Sequence, residues 1–281
     1  MKAYIKTFSP AVAKEYLEKN TANYRKVNWQ VVDRYAKDMA DGMWLENGSP
    51  IAISKSGKLL DGQHRLYAII KSGLTMNILV VEDVDDTAIT TYDDHSKRTD
   101  TQAATAADIG GYARSTQALS MTAILLTGSI DIRNASKRTT KQHKLRFLNK
   151  NQVEVDAVAQ AVFCGANTLT KKASVLLGAW CLFVNGEKCE KLKEFFSVVN
   201  NGFPIDGKDC SPCIVLRNQL LNERAVGWSS DHDKKDFNST IRAYVDFKKG
   251  NRRKREYEPM AWTVKYFDSA SRMAVADITE V

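Results

Sequence analysis

The sequence has no apolar run that approaches the roughly 20 residues needed to cross a bilayer. Its first residues, Met1 to Ile5, also lack the long apolar region of a secretory signal peptide. We therefore expect neither a membrane anchor nor export, and we expect an intracellular protein.

Cysteine is scarce, and the five cysteines make an odd count. In a chain without an export signal, an odd count predicts free thiols and no disulfide framework. Cys210 and Cys213 have the spacing of half a zinc site or of a redox pair, but no second pair or suitably spaced histidine accompanies them. We therefore interpret them as thiols in a turn and at the start of a helix, and we assign no metal ligands.

Residues 1–100 lack a net charge, whereas the rest of the chain is basic. The first 100 residues hold 14 Lys or Arg and 14 Asp or Glu, so the formal net charge of +8 belongs to the remainder. A length of 281 residues suits one large or two ordinary domains, and 43% apolar residues supply ample material for a core. We predict two domains, 1–100 and 101–281.

The first domain alternates between strand and helix signals, which predicts an α+β fold with a small mixed β-sheet. A further helix carrying Ala88, Ile89 and Tyr92 is predicted after an acidic cap at 83–86. The predicted strands are 3–8, 51–54, 58–60 and 77–82, and the predicted helices are 10–19, the segment from Asn28 to Gly42, and the segment from Gly62 to Gly73.

The segment from Leu59 to Ile70 packs several signals into a dozen residues. Asp61 and Gly62 lie where a strand passes into a helix, and a helix start offers unpartnered N–H groups and partial positive charge. Gly62 lets an anion approach the backbone, while His64 and Arg65 add donors. These features predict phosphate binding. The alternative is a common structural joint, in which Asp61 only caps the helix and His64 only packs.

Residues Asp61 to Arg65, which read DGQHR, resemble the signature of the ParB/sulfiredoxin-like superfamily, as found in phage-type ParB N-terminal-domain proteins. The segment from Gly42 to Ile53 is similar to the helix end and Pro-Ile strand that precede this signature in ParB proteins. The resemblance covers about residues 1–100. It implies a ParB/sulfiredoxin-like fold and a cytoplasmic location in a bacterial or phage-infected cell.

The resemblance is partial at the positions that carry chemistry. Gln63 stands where sulfiredoxins have their catalytic cysteine, so we do not expect sulfinic acid reductase activity. Gln63 and His64 stand where ParB has Glu-Arg, so the resemblance implies a phosphate contact but not the CTP switch of ParB.

The resemblance implies a nucleoside triphosphate ligand, ATP or CTP, bound together with Mg²⁺. A polar run at 93–100 would supply further cations and either a metal ligand or a base, although it could equally be a solvated linker whose Thr99 caps the next helix. The predicted phosphate-binding residues are Ser49, Gly62, Gln63, His64, Arg65, Lys97, Arg98 and Thr99. The predicted catalytic residues are Asp61, Gln63, His64 and Asp94.

Beyond residue 100, alanine and leucine recur at helical spacing, which predicts a mostly helical domain with helices at 101–107, 116–126, 153–163, 173–183 and 192–199. Two basic clusters within it predict contact with nucleic acid, because such clusters neutralise phosphates and release counterions. Each cluster could alternatively be a solvated loop. The predicted nucleic-acid contacts are Lys137, Arg138, Lys141, Lys144, Arg146, Arg252, Arg253, Lys254 and Arg255.

The resulting functional prediction is a nucleoside-triphosphate-binding protein whose NTPase activity is coupled to DNA binding. The expected partners are DNA, the nucleotide and a second copy in a homodimer. Because relatives in this superfamily differ in chemistry, three alternatives stay open: a kinase acting on a small molecule or a modified DNA base, a ParB-like nuclease, and a non-enzymatic DNA-binding regulator.

Overall fold

A computed structural model describes residues 1–18, 26–90, 99–165, 169–226, 230–257 and 261–279. The chain divides into two compact units, Met1–Arg98 and Thr99–Val281, each with its own hydrophobic core. Within the described ranges, no helix has the length and apolar character needed to cross a membrane.

The N-terminal unit is built on a four-stranded mixed sheet. Its strands are β1 (Lys2–Phe8), β2 (Ile51–Ser54), β3 (Leu59–Asp61) and β4 (Met76–Val84), and its helices are α1 (Pro10–Glu18), α2 (Trp29–Ala40) and α3 (Gln63–Ser72). The strand order is β1-β4-β2-β3. β1 runs antiparallel to β4, β4 runs parallel to β2, and β2 runs antiparallel to β3.

The core of this unit lies between the sheet and its three helices. Phe8, Ile51 and Val80 from the strands are fully buried against Leu66 and Ile69 of α3. Ile78 and Val80 are buried two residues apart on β4, and Leu66 and Ile69 are buried three residues apart on α3, which are the spacings typical of a strand and a helix. The mixed sheet and the coarse α+β class are confirmed.

In the described residues, the helix predicted around Ala88 is a 3₁₀ helix at Asp86–Thr90. The Asp85 carboxylate accepts hydrogen bonds from the backbone N–H and the hydroxyl of Thr87, at 3.0 and 2.7 Å, so an acidic residue caps this helix as predicted. Tyr92 lies outside the described residues.

The C-terminal unit is helical throughout its described residues apart from its connections. Trp180 is fully buried at its core, and its ring centroid lies 5.8 Å from that of Phe147. The helices are α4 (Asp100–Ala106), α5 (Thr116–Thr127), α6 (Ile132–Arg138), α7 (Lys141–Lys150), α8 (Gln152–Val162), α9 (Ala173–Val184), α10 (Cys189–Asn201), α11 (Ser211–Val226), α12 (Ser230–Lys249) and α13 (Ala261–Thr279). The prediction of a mostly helical second part is confirmed.

Candidate functional site

The strand-to-helix joint of the motif depends on Gly62. Its φ of 108° lies in the left-handed region, and a Cβ built on it would come within 2.8 Å of Ile51 Cγ1. Glycine is therefore required here by the backbone and by the close approach of β2. Gly62 is also the N-cap residue of α3. Because glycine has no side chain, it makes no capping hydrogen bond to the first N–H groups of the helix.

Asp61 and Arg65 form a clamp around this joint. One Asp61 carboxylate oxygen accepts from the Gly62 N–H at 2.7 Å, and the other accepts from Arg65 Nη2 at 2.7 Å. The same Arg65 nitrogen donates to the Pro50 carbonyl at 2.7 Å, which fixes the chain just before β2. Arg65 Nε is buried without a partner among the described residues. Both predicted site residues therefore have structural contacts of their own.

His64 connects the motif to the helix before it. Its Nε2 accepts a hydrogen bond at 3.0 Å from the backbone N–H of Asn28, the residue whose side chain caps α2. In this arrangement Nε2 is unprotonated and occupied, so it is not the atom that would take a proton from a substrate. Gln63, next to it, has a buried Oε1 without a hydrogen-bond partner among the described residues.

Sequence reasoning missed an aromatic pair beside the motif. Trp29 follows the α2 cap directly and is 57% exposed, and its ring meets that of Tyr67 on α3 edge-on at 5.2 Å. A largely exposed indole next to an uncapped helix start offers a stacking surface for a flat ring. The available signal was that Trp29 falls off the apolar face of α2, whose buried residues begin at Val32.

Ser49 makes no hydrogen bond to the motif within the described residues. It lines a cleft of about 210 Å³ with Ile5, Trp44, Leu45 and Leu79, and no residue from 61 to 65 lines that cleft. Its backbone N–H donates to the Asn47 side chain at 3.1 Å. Ser49 is nevertheless next in sequence to Pro50, whose carbonyl accepts from Arg65 Nη2 at 2.7 Å, so its backbone lies near the motif.

The polar run at 93–100 is described only at its end. Asp94, Lys97 and Arg98 lie outside the described residues. Thr99 is the N-cap of α4, with its hydroxyl accepting from the Gln102 N–H at 3.2 Å and the Gln102 side chain accepting from the Thr99 N–H at 2.8 Å. The predicted capping role of Thr99 is confirmed, and its hydroxyl is used in that cap.

The first basic cluster is split between surface and interior. Lys137 and Arg138, at the end of α6, are exposed. Lys141 is also exposed, with its Nζ 3.9 Å from an Asp100 carboxylate oxygen. Lys144 is buried in an ion pair with the same aspartate, which makes it a structural cation that phosphates of a nucleic acid do not reach. The remaining member, Arg146, is only half-buried.

The second cluster lies on the connection between α12 and α13. Arg252, Lys254 and Arg255 are exposed. Arg253 instead holds the loop in place, because its guanidinium lies 4.6 Å above the Tyr257 ring and donates to the carbonyls of Arg255 and Glu256 at 2.7 Å. The loop therefore presents three cations on a backbone that a fourth one fixes.

The paired cysteines are interior residues. Cys210 and Cys213 are buried, and burial raises the pKa of the Cys213 thiol well above its usual range. Cys210 Sγ accepts from the Ile205 N–H at 3.3 Å. Among the described residues no group of three or more His, Cys, Asp or Glu side chains is arranged to hold a metal ion.

A buried ionic network in the C-terminal unit was also missed from sequence. Lys172 Nζ lies 2.8 Å from an Asp236 oxygen and 3.4 Å from a Glu223 oxygen, and both carboxyl groups are buried. Burial and the neighbouring Glu223 raise the pKa of Asp236 to about 8. The network joins the start of α9 to α11 and α12.

Comparison with known proteins identifies no relative of this chain. No family model matches the chain, and neither the curated proteins nor the solved structures contain a match to it.

Proposed function

We propose that the protein contacts nucleic acid with its C-terminal unit and binds a nucleoside triphosphate with its N-terminal unit. The observation that carries the first part is the loop at 250–255. Its cations Arg252, Lys254 and Arg255 are exposed, and no salt bridge within the described part of the chain holds them. Arg252 interacts electrostatically with the Asp209 carboxylate, whereas Lys254 and Arg255 have no such acidic neighbour among the described residues, so their charge in particular is available to a polyanion.

DNA is the polyanion that we propose for this surface. Binding would neutralise backbone phosphates and release counterions, which requires no reading of base sequence. Lys137 and Arg138 supply further exposed cations in the same unit. The role of Arg253 in fixing the loop supports a defined contact surface over a mobile tail.

The test replaces the three cations together and measures the salt dependence of binding to a short duplex. The binding constant falls with salt, and each phosphate contact contributes about −0.9 to the slope of log K against log salt. The slope of the triple alanine variant should therefore be less steep by about 2 to 3. The matched control replaces Lys37, Lys55 and Lys71, which are exposed but paired with Asp41, Asp85 and Asp33. Both variants lose the same net charge. Equal losses of slope would count against the loop.

The nucleotide part rests on the start of α3. Gly62 leaves that start without a side-chain cap, and the Asn28 N–H donates to His64 in the first turn of α3. The exposed Trp29 ring, next to Asn28, lies against Tyr67 one turn further along. We propose that phosphates lie at the helix start, where N–H groups and the helix dipole favour anions, and that the base stacks on Trp29. Mg²⁺ would enter with the triphosphate.

Thermal stabilisation by ATP, CTP, GTP or UTP with Mg²⁺ tests this part, because a ligand of the folded state raises its stability. Inorganic tripolyphosphate separates phosphate from base recognition. Trp29→Ala should lose the advantage of the nucleotide over tripolyphosphate, whereas Trp29→Phe should keep most of it. If no nucleotide and no tripolyphosphate stabilises the unmodified protein, this part of the proposal is wrong.

The proposal concerns binding, because Asp61 and His64 are both held by neighbouring groups. NTP hydrolysis coupled to DNA stays a prediction. Phosphate release measured in the same titration, with and without duplex, tests it, and transfer of phosphate to an acceptor would indicate a kinase.

A further inference from the structure

The outer edge of β1 is open along its whole length in the described part of the N-terminal unit. β1 lies at the end of the sheet, and all of its residues from Lys2 to Phe8 pair with β4 on one side only. The pairing has no register shift. An unpaired strand edge presents a row of N–H and C=O groups that can pair with another strand.

Lysine is the only one of the usual edge protections that β1 carries. It contains no proline or bulge, and both of its lysines are engaged within their own chain. Lys2 lies 3.6 Å from Asp83, and Lys6 donates to the Tyr16 hydroxyl at 2.8 Å while covering that ring. Ile5, in contrast, is 57% exposed.

The opposite edge of the same sheet, formed by β3, is protected from pairing with another strand. β3 has only three residues, and its pairing with β2 shifts register between Ala52 and Ile53. Short, irregular edge strands disfavour pairing with another chain. The regular seven-residue β1 is therefore the edge suited to strand addition.

We propose that β1 pairs antiparallel with β1 of a second copy, which joins the two sheets across a two-fold axis. The pairing is centred on Ile5. In this register Ile5 faces Ile5 of the second copy, Tyr4 faces Lys6, and Ala3 faces Thr7. The contact is independent of the proposed nucleotide and DNA sites.

Registers centred on Tyr4, Ile5 or Lys6 keep the helix-covered faces of both copies on the same side and pair at least five residues of β1, and charge selects among these three. Centring the pair on Tyr4 places Lys2 opposite Lys6, and centring it on Lys6 places two Lys6 side chains opposite each other. Like charges directly opposite in a ladder are destabilising. Centring on Ile5 avoids both repulsions and covers the exposed isoleucine.

A seven-residue ladder buries less than the roughly 1,600 Å² of a standard interface, so we expect a reversible dimer with a micromolar dissociation constant. Sedimentation of the full chain measures it. Ile5→Lys should raise the dissociation constant by about tenfold, through repulsion at the axis and loss of the apolar contact. The control, Val153→Lys, makes the same change at a 77% exposed site in the C-terminal unit and should have no effect.

Cross-linking tests the register directly. Ile5→Cys should form a disulfide between copies under mild oxidation, whereas Ala3→Cys alone should not. A mixture of Ala3→Cys and Thr7→Cys proteins should cross-link. A chain that stays monomeric near 100 µM, about a hundredfold above a micromolar dissociation constant, overturns the proposal, as does a dimer insensitive to Ile5→Lys. Equal cross-linking of Ala3→Cys and Ile5→Cys overturns the register.

Discussion

Replacing Arg65 with alanine should destabilise the N-terminal unit, whatever the unit binds. The change removes a charge-assisted hydrogen bond to Asp61 and leaves the Pro50 carbonyl without its donor. The Arg65 side chain is only 12% exposed, while that of Asp61 is 37% exposed, so water compensates only in part. We expect a loss of about 2 to 3 kcal/mol in the free energy of unfolding.

Denaturant unfolding measures this loss, and hydrogen exchange of peptides covering 50–66 locates it. The control is Lys71→Ala, which removes an exposed ion pair with Asp33 and should cost about 0.5 kcal/mol or less. Arg65→Lys keeps the charge but loses the planar fork, so we expect an intermediate loss. If Arg65→Ala unfolds no more easily than Lys71→Ala, the clamp has no structural role and the reasoning is refuted.

Three further predictions concern single residues. Gly62→Ala should lower the free energy of unfolding by about 2 kcal/mol or more, because φ is positive and the new Cβ would clash with Ile51. The control Gly57→Ala has a positive φ but open space around the new Cβ, so it should cost about 1 kcal/mol. Equal costs would contradict the close approach of Ile51. Asp236 should contribute a fall in the free energy of unfolding as the pH rises from about 4 towards 8, because burial raises its folded-state pKa above its unfolded value; Asp236→Asn should lack this contribution, and identical pH profiles of the two proteins would contradict the assignment. Thr99→Ala should cost about 1 kcal/mol in thermal unfolding through the lost cap of α4, and no loss would contradict the capping role.

Local sequence signals predicted the N-terminal unit well, because its helices and strands are short and are bounded by capping and turn residues. Asn28 caps α2 as predicted, and Gly73 ends α3 in the left-handed conformation typical of a helix C-terminus. The joint at Gly62 was also predictable, since glycine follows a strand and precedes a helical pattern. These features depend on neighbours in sequence, which a single chain displays.

The partners of the motif side chains could not be predicted, since they come from distant positions. Nothing in the sequence near His64 indicates that its ring accepts from the N–H of Asn28, 36 residues away. The burial of Lys144 against Asp100 could not be predicted for the same reason. The sequence of a basic cluster does not show which of its cations are on the surface and which are in the interior. Charge counts located the basic unit, while only packing shows which cations are exposed.

The clamp limits how a nucleotide could use the motif. A triphosphate at the start of α3 would lie next to the Asp61 carboxylate, and like charges at such short range repel. It would therefore either take over the Arg65 guanidinium from Asp61, which suits the two-pronged geometry of arginine, or bind to backbone N–H groups alone. In the first case binding would loosen the tie between Arg65 and Pro50, so nucleotide affinity and the stability of the β2–α3 joint would be linked. If the proposed triphosphate binds in this first way, the contact of Arg65 with Asp61 and its contact with a phosphate would be alternative states of the same side chain.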